Sequence, residues 1–267
     1  NKILCQFFEF TQNLKRSLKY KPKLIIVGAS SYPNDIDYKL ISKIAHDNGS
    51  YIMVDACHTI LYIMSQLYNN PFPDADFVTF SLEKVLRGPQ GGILIYRKEF
   101  QKLISYSVFP LTQGGPLQSI QFAKLLCFVE LSHIDIKKYA SEVQQHAKII
   151  GLRLNDNGIY TFSKDYKTHI LLIDVTPYKL TGNKAEQFFY KNHLLVNKNQ
   201  IPFDALSPQI TSGIRIGTTC ITNLNYSNDD TICLADCISD LLLYQNINKE
   251  ILEYLINKYH RDTNISN

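Results

Sequence analysis

Four stretches of this chain carry side chains that could do chemistry together if a fold gathered them. Val54-Asp55-Ala56-Cys57-His58 ends an apolar run on a carboxylate and follows it with a histidine. An ionised Asp there can pair with a protonated heterocycle, and the His can hydrogen-bond a phenolic oxygen. The plainer reading is an Asp that caps the next helix and a His packed in a loop. Lys84 sits just past Phe77–Phe80 and before the turn Gly88-Pro89-Gln90-Gly91-Gly92. In a sheltered, partly desolvated site its amine would have a lowered pKa and could condense with an aldehyde, whereas a lone lysine before such a turn is ordinarily solvated. Arg215 stands inside the apolar stretch Thr211-Ser212-Gly213-Ile214-Arg215-Ile216-Gly217. A guanidinium there needs a partner, either a ligand carboxylate held by two hydrogen bonds or an internal Asp or Glu. Gln113-Gly114-Gly115-Pro116-Leu117 is a tight turn at a helix start, whose backbone N–H groups could hold a phosphate or could be structural only.

The elements that would position these residues follow from periodicity. Short apolar runs at Lys23–Val27, Tyr51–Asp55, Phe77–Phe80 and Gly92–Tyr96 alternate with helical stretches, among them an amphipathic segment over Asp37–Asn48. That pattern predicts a largely parallel α/β sheet, in which ligands collect at the carboxyl ends of the strands. A helical stretch from Leu117 to Leu154, broken near Ser132–Asp135, predicts a connector between domains. Beyond it, Thr168–Val175, Gly182–Asn192 and Ile214–Gly217 predict strand, helix and strand, and amphipathic helices close the chain over Asp229–Tyr259. The expectation is a large domain over residues 1–130 and an α+β domain over 131–267.

Composition bounds the partners. With 267 residues, 45% of them hydrophobic, the chain can bury a sizeable core. A net charge of +4 spread among carboxylates argues against nucleic acid and only weakly for a small anionic ligand. The longest apolar runs, such as Leu24–Val27 and Ile170–Ile173, are too short to cross a bilayer, so no membrane partner is expected. Cys5, Cys57, Cys127, Cys220, Cys233 and Cys237 lack CxxC or zinc-type spacing and predict buried free thiols in a reducing compartment, with no metal. His46, His133, His146, His169, His193 and His260 predict surface or helix-packing roles. Asn264-Ile265-Ser266 matches a glycosylation sequon without a secretory context. The first residue is Asn1, which leads us to expect a chain that starts inside a longer product.

Taken in order, the motifs resemble the serine hydroxymethyltransferase family almost continuously from Pro22 to Thr222. The resemblance is carried by Lys21-Pro22-Lys23-Leu24-Ile25-Ile26-Val27-Gly28-Ala29-Ser30 with Tyr32-Pro33, by Asp55 with His58, by Asn69-Asn70-Pro71 and by Leu86-Arg87-Gly88-Pro89. Gln113-Gly114-Gly115-Pro116-Leu117, Asn197-Lys198-Asn199 and Thr211-Ser212-Gly213-Ile214-Arg215 complete it. It implies the fold type I (aminotransferase-like) large domain of pyridoxal-phosphate enzymes with a C-terminal α+β small domain. The implied reaction interconverts serine plus tetrahydrofolate and glycine plus methylenetetrahydrofolate. By the same resemblance, Lys84 would form the Schiff base with pyridoxal phosphate, Asp55 would pair with the pyridine nitrogen, and His58 with Ser30 would contact the cofactor's polar edge. Arg215 would bind the amino-acid carboxylate and Asn199 the folate pterin, although Asn-Lys-Asn is also an ordinary turn. Gly114 and Gly115 would help hold the cofactor phosphate of a neighbouring subunit, which implies a dimer.

The chain departs from the family where Phe80-Ser81-Leu82-Glu83 precede the lysine in place of threonines and a histidine, and where Gln90 replaces an arginine. A carboxylate at Glu83 pointing inward would favour the charged form of Lys84 and oppose its attack on an aldehyde. The family's N-terminal third, with its phosphate-binding serines and ring-stacking residue, has no counterpart in these residues. The alternatives are therefore an impaired pseudoenzyme subunit, homodimeric or paired with an active paralogue, and an aldolase acting on β-hydroxy amino acids without folate. The expected location is intracellular, in cytoplasm or mitochondrion.

Overall fold

Strands form where β-branched and aromatic residues alternate between glycine and aspartate punctuation. β1 (Leu24–Gly28), β2 (Tyr51–Asp55), β3 (Phe77–Ser81) and β4 (Gly92–Tyr96) lie in that order in one sheet, the first three parallel and β4 antiparallel to β3. They belong to a computed structural model that describes residues 19–163 and 165–262; Cys5, the sequon and the side chain of His260 lie outside what it describes. The described residues form two compact units, one of residues up to 30 with 35–140, the other of 31–34 with 141 onward. The division falls inside a helix, after Ala140, where the sequence marks no break.

In the first unit, the two-residue period sends Ile25, Val27, Ile52, Val54, Val78 and Phe80 to one buried face. Helix α1 (Tyr38–Asp47) packs there through Tyr38, Ile41 and Ala45, and its N-cap Asp37 accepts a hydrogen bond from the Leu40 N–H at 2.9 Å. The short helix α2 (Ile60–Met64) buries Ile60, Leu61, Tyr62 and Ile63. On the sheet's other face Ile26 remains 43% exposed and Tyr51 49%. After α3 (Gln101–Tyr106) comes α4 (Gln118–His133), apolar on several sides, with Phe122 60% and Leu125 56% exposed while Cys127 and Leu131 are buried.

The second unit takes up most of α5 (Ile136–Asp156) and an antiparallel sheet of β5 (Ile170–Asp174), β6 (Asn197–Asn199) and β7 (Gly213–Gly217), in the order β5-β7-β6. Strand β6 departs from the sequence reading: Asn-Lys-Asn is turn-like locally and is extended because β7 pairs with it. Helices α6 (Gly182–Lys191), α7 (Thr219–Asn223), α8 (Asn228–Tyr244) and α9 (Lys249–Asp262) complete the unit. Leu171, Ile173, Ile214 and Ile216 meet Ile150, Leu154, Phe189, Ile238 and Leu241 in one core. Ser227 and Asp230 form a capping box at the start of α8, and Asp230 also accepts from the Tyr254 hydroxyl at 3.0 Å and from the Lys258 ammonium of α9. Among the described residues no helix is long and apolar enough to cross a membrane.

Candidate active site

Parallel pairing brings the carboxyl ends of β1, β2 and β3 to one edge, with Gly28 opposite Asp55 and Asp55 opposite Thr79. Ser30, Asp55, His58 and the turn bearing Lys84 all leave the sheet at that edge, where α/β proteins bind ligands. Asp55 Oδ1 accepts the Cys57 N–H at 3.1 Å, so the carboxylate also shapes its own turn. The Ala56 N–H bonds the Thr79 carbonyl at 2.8 Å and ties that turn to β3. His58 is half-buried ahead of α2, and Ser30 is exposed.

The segment carrying Lys84 is a closed turn between β3 and β4. Leu82 N–H bonds the Gly91 carbonyl at 3.1 Å, Gly88 N–H the Leu82 carbonyl at 2.8 Å, and Arg87 N–H the Lys84 carbonyl at 3.2 Å. Arg87 takes a left-handed φ of 57° and stacks its guanidinium over Tyr139, 4.5 Å from the ring centroid. At Gly88 a Cβ would lie 2.6 Å from Cys127 Sγ, so only glycine lets this turn settle against α4.

Cys57 reports the local electrostatics. Burial first, then the Asp55 carboxylate, push its thiol above the usual range, while Ser81 and the Lys84 ammonium pull the other way. Cys57 thus feels the charges of both Asp55 and Lys84. Glu83 is held below the usual carboxylate range, mainly by its own backbone N–H, with the Gly91 N–H at 3.4 Å, Ser81 and Lys84 adding to the effect. It is ionised and bonded across the turn. Lys84 itself is exposed, as a lysine before such a turn ordinarily is.

An amine beyond β3 and a carboxylate at the end of β2, acting on the same thiol, fit the two polar ends of pyridoxal phosphate: an aldehyde needs the amine and a protonated ring nitrogen needs the carboxylate. Gly114 and Gly115 lie on an exposed turn, and a Cβ added at either would meet nothing within 4 Å. Their space is open, not a cradle filled by this chain's own atoms. Among the described residues no group of three His, Cys, Asp or Glu is placed to hold a metal ion.

The second unit presents its own cluster. In β7, Ile214 and Ile216 enter the core, so Arg215 projects from the opposite face of the sheet. Directly across β6 stands Asn197, whose Oδ1 accepts from Arg215 Nη2 at 3.2 Å. Asn199, on the same face by the two-residue period, donates its amide N–H to the Gln200 carbonyl at 2.6 Å. Burial lowers the Arg215 pKa from its ordinary value. Asn197 and Cys57 escaped the sequence reading, although stepping back two residues from Asn199 along a strand would have found the first. Also missed was a buried carboxylate, Asp76, that joins His46 at 2.9 Å, Arg97 at 3.4 Å and the Ile52 N–H at 2.8 Å. It pins β2 to its neighbours and has no part at the carboxyl edge.

Compared with known protein families, the chain matches the family described as serine hydroxymethyltransferase over residues 3–238.

Proposed function

The chain belongs to the serine hydroxymethyltransferase family of pyridoxal-phosphate- and folate-using enzymes, and from that premise we propose that it transfers a one-carbon unit between serine and tetrahydrofolate. The observation that carries this reading is that Asp55, at the end of β2, and the turn bearing Lys84, beyond β3, share the carboxyl edge of the first sheet. Pyridoxal phosphate, when bound, supplies an electron-withdrawing ring that weakens the bonds at an amino acid's α-carbon. Lys84 would hold the cofactor by its aldehyde carbon. Asp55 would keep a proton at the ring nitrogen, and His58 and Ser30 would hydrogen-bond the cofactor's polar edge. Arg215 would grip the substrate carboxylate with its planar fork and so choose which α-bond stands across the ring. Asn199 would meet the pterin, and the open turn at Gly114 and Gly115 would serve the phosphate of a second subunit. In this reading the first unit is the core of the cofactor-binding large domain and the second is the small domain.

A second reading, a subunit with impaired catalysis, is favoured by the ionised Glu83 beside an exposed Lys84. The two part in one experiment, in which absorbance is recorded with added pyridoxal phosphate, before and after borohydride, for wild type and Lys84→Ala. A borohydride-sensitive band present only in wild type, with the cofactor's mass fixed on Lys84, is expected. Spectra without that band in both proteins would turn the assignment to the impaired subunit.

A further inference from the structure

We propose that Asn197 is a positioning residue that aims Arg215 at the substrate carboxylate without cancelling its charge; the proposal rests on the reading of Arg215 given above. The two residues are register partners in the β6–β7 pair, so their side chains stand on one face, and Asn197 Oδ1 accepts from Arg215 Nη2 at 3.2 Å. Arg215 is half-buried, and a desolvated guanidinium needs acceptors for its N–H groups. A carboxylate at that spot would satisfy the N–H but neutralise the cation and compete with the incoming ligand. A neutral amide satisfies the same N–H and leaves the charge for an anion. It also fixes the plane of the fork before binding, so less side-chain entropy is lost when the ligand arrives.

The pairing is held firmly enough to do this. Asp204 closes the β6–β7 connection by accepting from the N–H groups of Ile201 at 3.2 Å, Leu206 at 2.9 Å and Ser212 at 2.8 Å, and from the Ser212 hydroxyl at 2.6 Å. Glu186 of α6 accepts the Lys198 N–H at 2.9 Å and anchors β6 from the other side. At Gly213 a Cβ would sit 2.5 Å from Ile201 Cγ2 and 3.0 Å from the Asn199 carbonyl oxygen, so β7 fits against β6 only with glycine there. With both strands clamped, register slip that would separate Asn197 from Arg215 is blocked.

The test titrates the full chain, loaded with pyridoxal phosphate, with glycine and separately with methylamine, an amine without a carboxylate, following the cofactor's absorbance. Asn197→Ala is expected to weaken glycine about tenfold, the size of a lost hydrogen bond to a charged group. Asn197→Asp, of the same size and able to keep the strand pair, is expected to weaken it further because its carboxylate occupies Arg215. Methylamine should bind all three proteins alike. Glycine affinities equal to wild type in both variants, or equal losses for methylamine, would overturn the role of Asn197 alone. Failure of wild type to bind glycine while still binding methylamine would overturn Arg215 as the carboxylate anchor, and the proposal with it.

Discussion

The two sheets of this protein differ in what lies behind them. β5 and β7 press Leu171, Ile173, Ile214 and Ile216 into a core closed by residues of α5, α6, α8 and α9. β1 and β2 bury one face through Ile25, Val27, Ile52 and Val54, yet leave Ile26 and Tyr51 exposed on the other. Parallel sheets in α/β proteins are ordinarily covered on both faces. Arg215 and Asn197 therefore sit on a platform that the second unit completes by itself, whereas Asp55 and Lys84 hang from a sheet with one apolar face open. Arg215 and Asn197 thus stand on a more fully packed scaffold than Asp55 and Lys84 do.

The contrast can be broken most directly in the cores. Leu171→Ala should cost about 2–5 kcal/mol in urea denaturation, as for a fully buried leucine, and Ile26→Ala on the open face under about 1 kcal/mol. Equal losses would erase the distinction.

A smaller effect is expected where α8 and α9 are tied. Removing the capping carboxylate in Asp230→Ala should cost about 1–2 kcal/mol. Although burial acts to raise it, the Asp230 pKa is lowered from 3.8 to about 2 by the hydrogen bonds from Lys258 and Ser227. Because the folded value lies below the unfolded one, the contribution is present above about pH 4 and is lost as pH falls towards 2. Acid titration should show wild type more stable than Asp230→Asn by a constant margin above about pH 4, with the two curves converging as pH falls towards 2.

The smallest is at His146. His146 Nδ1 lies 2.8 Å from Thr222 Oγ1, and Thr222 Oγ1 lies 3.0 Å from the Thr218 carbonyl. Burial lowers the His146 pKa below 6.5. The unfolded chain then takes up the proton first, and stability present above pH 6.5 declines as pH falls below it. His146→Gln should flatten that slope, removing at most about 1.4 kcal/mol of pH dependence per unit, the limit for a single proton. A slope unchanged in the variant would place the titrating group elsewhere.

Much of this was legible in the sequence where the signal is local. β2 and β4 begin and end at the expected residues, because Asp55 and Gly92 punctuate continuous apolar runs. The carboxyl-edge position of Asp55 and Lys84 followed from the same runs. What stayed hidden depends on partners far along the chain. His46 meets Asp76, and His146 meets Thr222, across separations of 30 and 76 residues. Asn197 gains its place opposite Arg215 only through strand register.

The antiparallel return of β4 also bears on the order of folding. Ser81 pairs with Gly92 across a short connection, whereas Gly28 must find Asp55 and Asp174 must find Gly213. Loop-closure entropy grows with separation, so the hairpin carrying Lys84 can form early, on the time scale of local contacts, and the strands that meet it must dock afterwards. Lys84 thus belongs to one of the quickest parts of the chain to acquire its shape, while the Asp55 strand reaches it through slower, longer-range pairing.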